Sequence, residues 1–373
     1  MQSIESEKRL PSKGGRTVAW ITRTFMIVAV SLMTFLVLYA GFVFLRDGDA
    51  PKLLVAVVAI VWGVGGVALL YAVLNWLIEQ LPRAWMTRLQ PYLFVGPAVA
   101  ILIWYLTIPT FRTFWLSLLD RTSTNFIGLQ NYAAIFTDRL MSEAFRNNLL
   151  WLVFGATFSV IFGLLVAVLA DRSKAERLSK ALVFMPMAIS FVGASVIWNF
   201  IYEYRPADAP QIGLLNAIVV ALGGQPQQWP AWVEIIPWNN LFLIVIVVWL
   251  QTGYAMVLFS AAIKGLPGEV LEAARVDGAN EIQLFFRVIV PMIRATIITV
   301  STTVIIFTLK VFDVVWVMTG GQFGTEVIGT QFYRQYFVAR NFGYGSAIAV
   351  ILLVAVIPVM IYNLRQFRRT EAF

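Results

Sequence analysis

Long apolar runs broken by short polar and basic segments organise this 373-residue chain. Eight of them come close to or exceed the roughly 20 mostly apolar residues that a membrane-crossing helix needs. They lie at 25–45, 53–77, 92–116, 149–169, 181–201, 241–258, 293–317 and 347–364, and each is read as a transmembrane helix. The first follows Lys8, Arg9, Lys13 and Arg16, as a signal peptide would. It is longer than a signal's apolar core and no small-residue cleavage site follows, so it reads as an uncleaved anchor. A shorter apolar run at 212–222 leads into Gly223-Gly224 and then Trp229, Trp232 and Trp238. Tryptophan favours the headgroup zone, so 202–239 is expected to be an external loop with a short helix lying on the membrane. Pro97, Pro109 and Pro186 fall inside spans, where neighbouring helices can satisfy the freed carbonyls.

Composition makes lipid the solvent. Hydrophobic residues are 60% of the chain and charged ones 13%, against about 25% charged in an ordinary soluble domain. The formal net charge of +8 would suggest nucleic acid in a soluble protein, but no basic run is interleaved with aromatics as strand binding requires. Most of the 28 Lys and Arg instead collect on alternate loops. One side holds the N-terminal tail, Arg83 and Arg88, the 172–180 loop, the 264–294 loop and the C-terminal Arg365, Arg368 and Arg369. Positive residues accumulate on the cytoplasmic side, so both termini are expected there. An even number of spans requires the same. The basic loop 78–90 separates a cytoplasmic tail with two N-terminal helices, 1–90, from a six-helix core, 91–373.

Chemistry is limited by what is missing. The chain has no Cys and no His, which removes thiolate metal sites, disulfides, thiol nucleophiles, zinc-helix motifs and every Ser/His pair. No GxxxxGK[ST] phosphate loop is present, so ATP would have to be bound by another chain.

The informative stretch is the loop 262–291, between the sixth and seventh spans. Pro267 suits a first helical turn, and Glu269 and Glu272 complement its positive end. Asp277-Gly278 stops that helix, with Gly278 free to adopt the left-handed conformation. Asn280 and Gln283 have capping-box spacing for a second helix, which is expected to run through Phe285 and Phe286 to Pro291. A short helix, a sharp turn and a returning helix suit the transmission of a rigid push.

The register Glu272-Ala273-Ala274, three residues, Gly278, nine residues, Val288, one residue, Val290 and Pro291 resembles the loop of permease subunits of bacterial binding-protein-dependent ABC importers. Val at both aliphatic positions is a mild departure from their more usual Ile and Leu. Residues 126–132, Trp249, Gly253-Tyr254, Phe312-Asp313 and 318–321 are also similar to that family. The sugar-importing branch fits best, on the pattern of the larger maltose-type subunit with extra N-terminal helices, and an α-glucoside permease is the particular comparison. The large external insertion of the maltose-type subunit is missing here.

The resemblance implies an all-α integral membrane protein of eight transmembrane helices: a six-helix ABC-importer permease core and two extra N-terminal helices. It implies a bacterial cytoplasmic (inner) membrane location and import of a sugar by alternating access. The implied partners are a second permease subunit in a heterodimer, two ATPase subunits and an extracytoplasmic solute-binding protein. This chain would bind no cofactor; ATP and Mg²⁺ belong to the ATPase subunits. Glu272 would face basic residues of the ATPase, Ala273 and Ala274 would permit close approach, and Asp277-Gly278 and Pro291 would shape the loop. The solute-holding positions it implies are Gln251, Tyr254 and Thr308. Lys310 and Asp313 stand at i, i+3 in the seventh span and are expected to share a face, as a pathway element or as a structural pair. Two rivals compete. An ion-coupled secondary transporter would account for the eight spans and the charged pair but not for the 272–291 pattern. An intramembrane enzyme lacks a His base or a second buried carboxylate beside Asp313.

Overall fold

The computed structural model describes residues 13–229, 233 and 235–370; Lys8, Arg9 and Trp232 lie outside them. The described residues are mostly helical, and one antiparallel bridge joins Leu119 to Phe126. Among the described residues, six helices are long and apolar enough to cross a membrane, or up to eight if each of two bent pairs is one span. Compact packing divides the chain into Met1–Pro109 and Thr110–Phe373, a division that falls inside the third span.

The first unit holds α1 (Lys13–Asp47), α2 (Lys52–Glu79) and most of α3 (Arg83–Leu116). None of their most apolar windows is buried within the protein, as expected of helices whose apolar sides meet lipid. Glycines bring α1 and α2 together. A Cβ on Gly41 would fall 2.0 Å from the Trp62 ring, and one on Gly66 would lie 3.1 Å from Leu38. The Trp62 indole donates to the Leu38 carbonyl at 3.2 Å. Near its end α3 widens into a π turn over Ile103–Thr107. Pro109 follows, and having no N–H it cannot continue the ordinary ladder.

The second unit continues with α4 (Gln130–Thr137), α5 (Arg139–Asp171), α6 (Glu176–Ala188), α7 (Phe191–Tyr202), α8 (Leu214–Ala221) and α9 (Trp238–Lys264). Then come α10 (Gly268–Val276), α11 (Glu281–Met292), α12 (Arg294–Leu309), α13 (Asp313–Met318), α14 (Ile328–Tyr333) and α15 (Phe342–Thr370). Helix α9 is its axis, with 56% of its most apolar window buried. Two core clusters lie along it: one around Trp151, Leu243, Ile246 and Val315, the other around Ala255, Phe259, Leu284 and Val300. Small residues set the spacing. A Cβ on Gly163 of α5 would lie 2.3 Å from Ala255, and one on Gly253 of α9 would lie 2.5 Å from the Val183 carbonyl of α6.

Three expectations are corrected. The span expected at 181–201 is not straight: α6 and α7 meet at 106°. A tight turn at Met185–Ala188 contains Pro186, and the Ser190 side chain caps α7 by accepting from Gly193 N at 3.0 Å. The expected 293–317 span is bent by 73° where it meets α11, and it breaks again between Leu309 and Asp313. Lys310 and Asp313 therefore do not share a face of one helix. The run at 212–222, by contrast, forms the short helix that was expected, the eight-residue α8, too short to span a bilayer.

Candidate coupling loop and solute path

The loop after α9 is built by local chemistry. Pro267 sits at the N-cap of α10, Glu269 in its first turn and Arg275 in its last, each placed to complement the helix dipole. The end of α10 is a Schellman motif: Gly278 N donates to Arg275 O and Ala279 N to Ala274 O, both at 3.0 Å. Gly278 carries a φ of +83°, and a Cβ there would meet nothing within 4 Å. Glycine is thus needed for its backbone conformation alone. Asn280 then caps α11 in a reciprocal box, its side chain accepting from Gln283 N at 2.8 Å while Gln283 accepts from Asn280 N at 2.9 Å.

Beyond the box the second helix departs from the expected uniform one. It widens to a π turn over Phe285–Ile289, with Val290 N reaching Phe285 O, immediately before Pro291. The missing proline N–H would leave a gap in a regular ladder, and the wider turn absorbs it.

Burial sorts the loop into two faces. Leu271 and Ala274 pack on the second core cluster with Leu284 and Ile289. Glu272, Ala273, Asp277, Gly278 and Pro291 are exposed. Exposed apolar side chains accompany them: Val276 at 87%, Ile282 and Phe286. A short helix held by one face thus offers the other to a partner.

Sequence reasoning missed the charged collar behind this loop. The Lys180 ammonium contacts Asp171 at 2.5 Å and Glu176 at 2.6 Å. Lys264 also contacts Glu176, and Ser260 donates to Asp171 at 2.7 Å. Glu281 is bonded by Arg172 and by Arg275. The residues are dispersed over 171–281, so only the fold shows that they adjoin.

The path residues are partly brought together. Thr308, Lys310 and Asp313 line a cavity of about 240 Å³ with Phe191, Val247, Phe307, Val311, Phe312 and Val314. Gln251 and Tyr254 do not line it; Gln251 is buried in α9, and Tyr254 packs on the second core cluster. Thr308 is buried and donates to Val304 O at 2.7 Å. Lys310 and Asp313 are exposed, and no ion pair or hydrogen bond joins them. Of the two readings of Lys310 and Asp313, the structural pair is not formed, because the chain turns between them, the helix breaking at Phe312 with φ −146° and ψ −59°.

Side chains from elsewhere hold that turn. Asn148 Nδ2 donates to Leu309 O at 3.1 Å and Asn148 Oδ1 accepts from Ile328 N at 2.8 Å. Asn147 binds the Gly324 and Glu326 carbonyls at 2.9 and 2.8 Å. The pairs Asn147-Asn148 and Asn239-Asn240, all buried, were a legible signal: adjacent amides at the ends of apolar helices have structural partners to find.

This is the build of a transporter's membrane subunit: helices that cross the bilayer, a cavity with a few polar groups where one of them breaks, and one exposed helix–turn–helix. Residues 159–371 match the family described as the binding-protein-dependent transport system inner membrane component, and the chain belongs to that family. It is 55% identical, over 75% of its length and 99% of the relative, to the osmoprotective compounds uptake permease GgtC of Synechocystis sp.. It is 49% identical to the alpha-glucoside transport system permease AglF of Rhizobium meliloti, covering 75% of this chain and 83% of that one. At 29% identity it is similar to the trehalose/maltose transport system permease MalF of Thermococcus litoralis, over 74% of this chain and 94% of that one.

 

Among solved structures, the fold matches a chain of a bacterial ABC transporter involved in the import of the acidic polysaccharide alginate. The TM-score is 0.65 at 19% identity, covering 77% of this chain and 99% of that one, a likeness of fold alone. The chain is therefore a non-catalytic, multi-pass inner-membrane subunit of an ABC importer, working with a binding protein and with an ATPase on a separate chain.

Proposed function

We propose that the imported solute is a small sugar or glycoside of the α-glucoside kind, moved by alternating access. The observation that carries this reading is the 49% identity to an alpha-glucoside permease over three-quarters of the chain. The cavity at the α12–α13 break supports it. Lys310 supplies only donors and Asp313 only acceptors, and a sugar hydroxyl answers both. Phe191, Phe307 and Phe312 in the same lining give apolar faces on which a sugar ring can stack. Thr308 belongs to this path, with Gln251 and Tyr254 entering it when the helices rock.

In this reading the chain pairs with a second, different permease subunit, both termini lie in the cytoplasm, and the loop 262–291 docks on one of two ATPase subunits. Those subunits bind ATP and Mg²⁺. Their closure draws two such loops together and rocks the helices as rigid bodies. Glu272, Ala273, Ala274, Asp277, Gly278 and Pro291 form or shape the docking face.

The test is uptake into proteoliposomes holding the whole complex with its binding protein. Labelled α-glucosides, trehalose among them, are compared with glycine betaine, an osmoprotectant without a sugar ring. The α-glucosides should be taken up and glycine betaine should not. Lys310→Met and Asp313→Asn should each slow uptake about tenfold, since a hydrogen bond to a charged group contributes about 1.5–3 kcal/mol. A preference for glycine betaine would sink the sugar reading, and full uptake by both variants would remove this cavity from the path.

A further inference from the structure

The charged collar contains a carboxylate, Glu281, held by arginines from two different helices. Glu281 opens α11, directly after the turn at Gly278. Its Oε2 accepts from Arg172 Nη2 at 2.5 Å and its Oε1 from Arg275 Nε at 3.2 Å. Arg275 is in the last turn of α10, and Arg172 caps the end of α5. One side chain therefore spans the α10–α11 turn and ties it to a helix 109 residues away in sequence.

What lies behind Arg172 is a rigid block. Gly163 and Gly253 allow α5 and α6 to approach α9 so closely that a methyl group would collide at either place. Lys180, Asp171, Glu176, Ser260 and Lys264 join the ends of the same three helices. Helix α10 has less to hold it: among its apolar residues, Leu271 and Ala274 pack on the core. A push on α10 can be absorbed by the Gly278 turn or passed on to the block, and Glu281 bridges that choice.

We propose that Glu281 is a positioning residue that makes α10 and the α5–α6–α9 block move as one body, so that ATP-driven movement of the loop becomes movement of the path. The proposal rests on the reading of 262–291 as the ATPase-docking loop. Half-exposed ion pairs contribute little to stability, so its effect belongs to coupling and not to folding.

The experiment compares wild type, E281Q, R172Q and the double variant as complete complexes with their ATPase subunits and binding protein. Uptake and ATP hydrolysis are measured together. Wild type is read first: uptake indifferent to ATP refutes the docking-loop reading and this proposal with it. The expected result is that E281Q retains its ATPase subunits and its binding-protein-stimulated hydrolysis. Solute moved per ATP should fall about fivefold, the factor that about 1 kcal/mol represents. R172Q should do the same and the double variant no worse, as expected of residues acting through one contact. An unchanged ratio in E281Q, additive losses in the double variant, or loss of the ATPase subunits from E281Q would each overturn the proposal.

Discussion

Two glycines show how differently one residue type can be required. Gly278 has open space around its missing side chain and a left-handed backbone; Gly253 has backbone atoms of α6 where a Cβ would go. Gly278→Ala should cost roughly 1–2 kcal/mol locally, the penalty of a left-handed L-residue, leaving the melting temperature of the bundle nearly unchanged. Gly253→Ala should lower that melting temperature, at about 1–3 kcal/mol for overpacking, because the Val183 carbonyl cannot yield as a side-chain tip could. Equal thermal shifts in the two variants would contradict this account. Gly278 was legible because Asp-Gly after an amphipathic stretch is a stop signal. Gly253 was not, since its reason lies in α6, some 70 positions away.

Glu326 gives the residue scale its pH dependence. It is buried in the loop before α14, with Arg334 at 3.1 Å, and burial raises its pKa above the ordinary carboxylate value despite that partner. A carboxyl whose pKa is higher folded than unfolded contributes most below its unfolded pKa, and that contribution is lost as pH rises through the folded value. Glu326→Gln should therefore gain on wild type in melting temperature as pH rises from about 4 to 8. A gap that narrows over that range would show that the Arg334 contact outweighs burial.

At the scale of elements, apolar length was legible and direction was not. A window of apolar residues measures whether a segment can cross a bilayer, but the 106° and 73° bends depend on where caps and packing fall. Pro186 and Ser190 offered a local hint of the first. The break at Lys310–Phe312 offered none, having neither Pro nor Gly. It is held by Asn148 on the Leu309 carbonyl, and by Gly329 lying against the Val311 carbonyl. Asn148→Ala would leave the Leu309 carbonyl and the Ile328 amide without that partner, each at a cost of about 1–3 kcal/mol. Reduced uptake with a lowered melting temperature is expected, and an unchanged protein would show that the break does not depend on Asn148. The stop and the capping box of the loop 262–291, by contrast, were legible, because they are contacts between residues three to five apart; the π turn before Pro291 was not.

At the scale of the whole molecule, the 60% apolar composition identified the solvent, and the exposure of the long helices agrees with it. The large difference between α9, 56% buried, and α1 to α3, not buried at all in their apolar windows, was beyond reach of composition, since all are apolar all round. The central claim is that this bundle is driven by ATP hydrolysed on another chain through the loop 262–291. The most direct measurement is solute uptake by the reconstituted complex with and without ATP and the binding protein, in wild type and in Glu272→Lys. Uptake that needs both, and that Glu272→Lys abolishes while the subunit still inserts, is the result expected. Uptake driven by an ion gradient without ATP, and indifferent to Glu272→Lys, would contradict it.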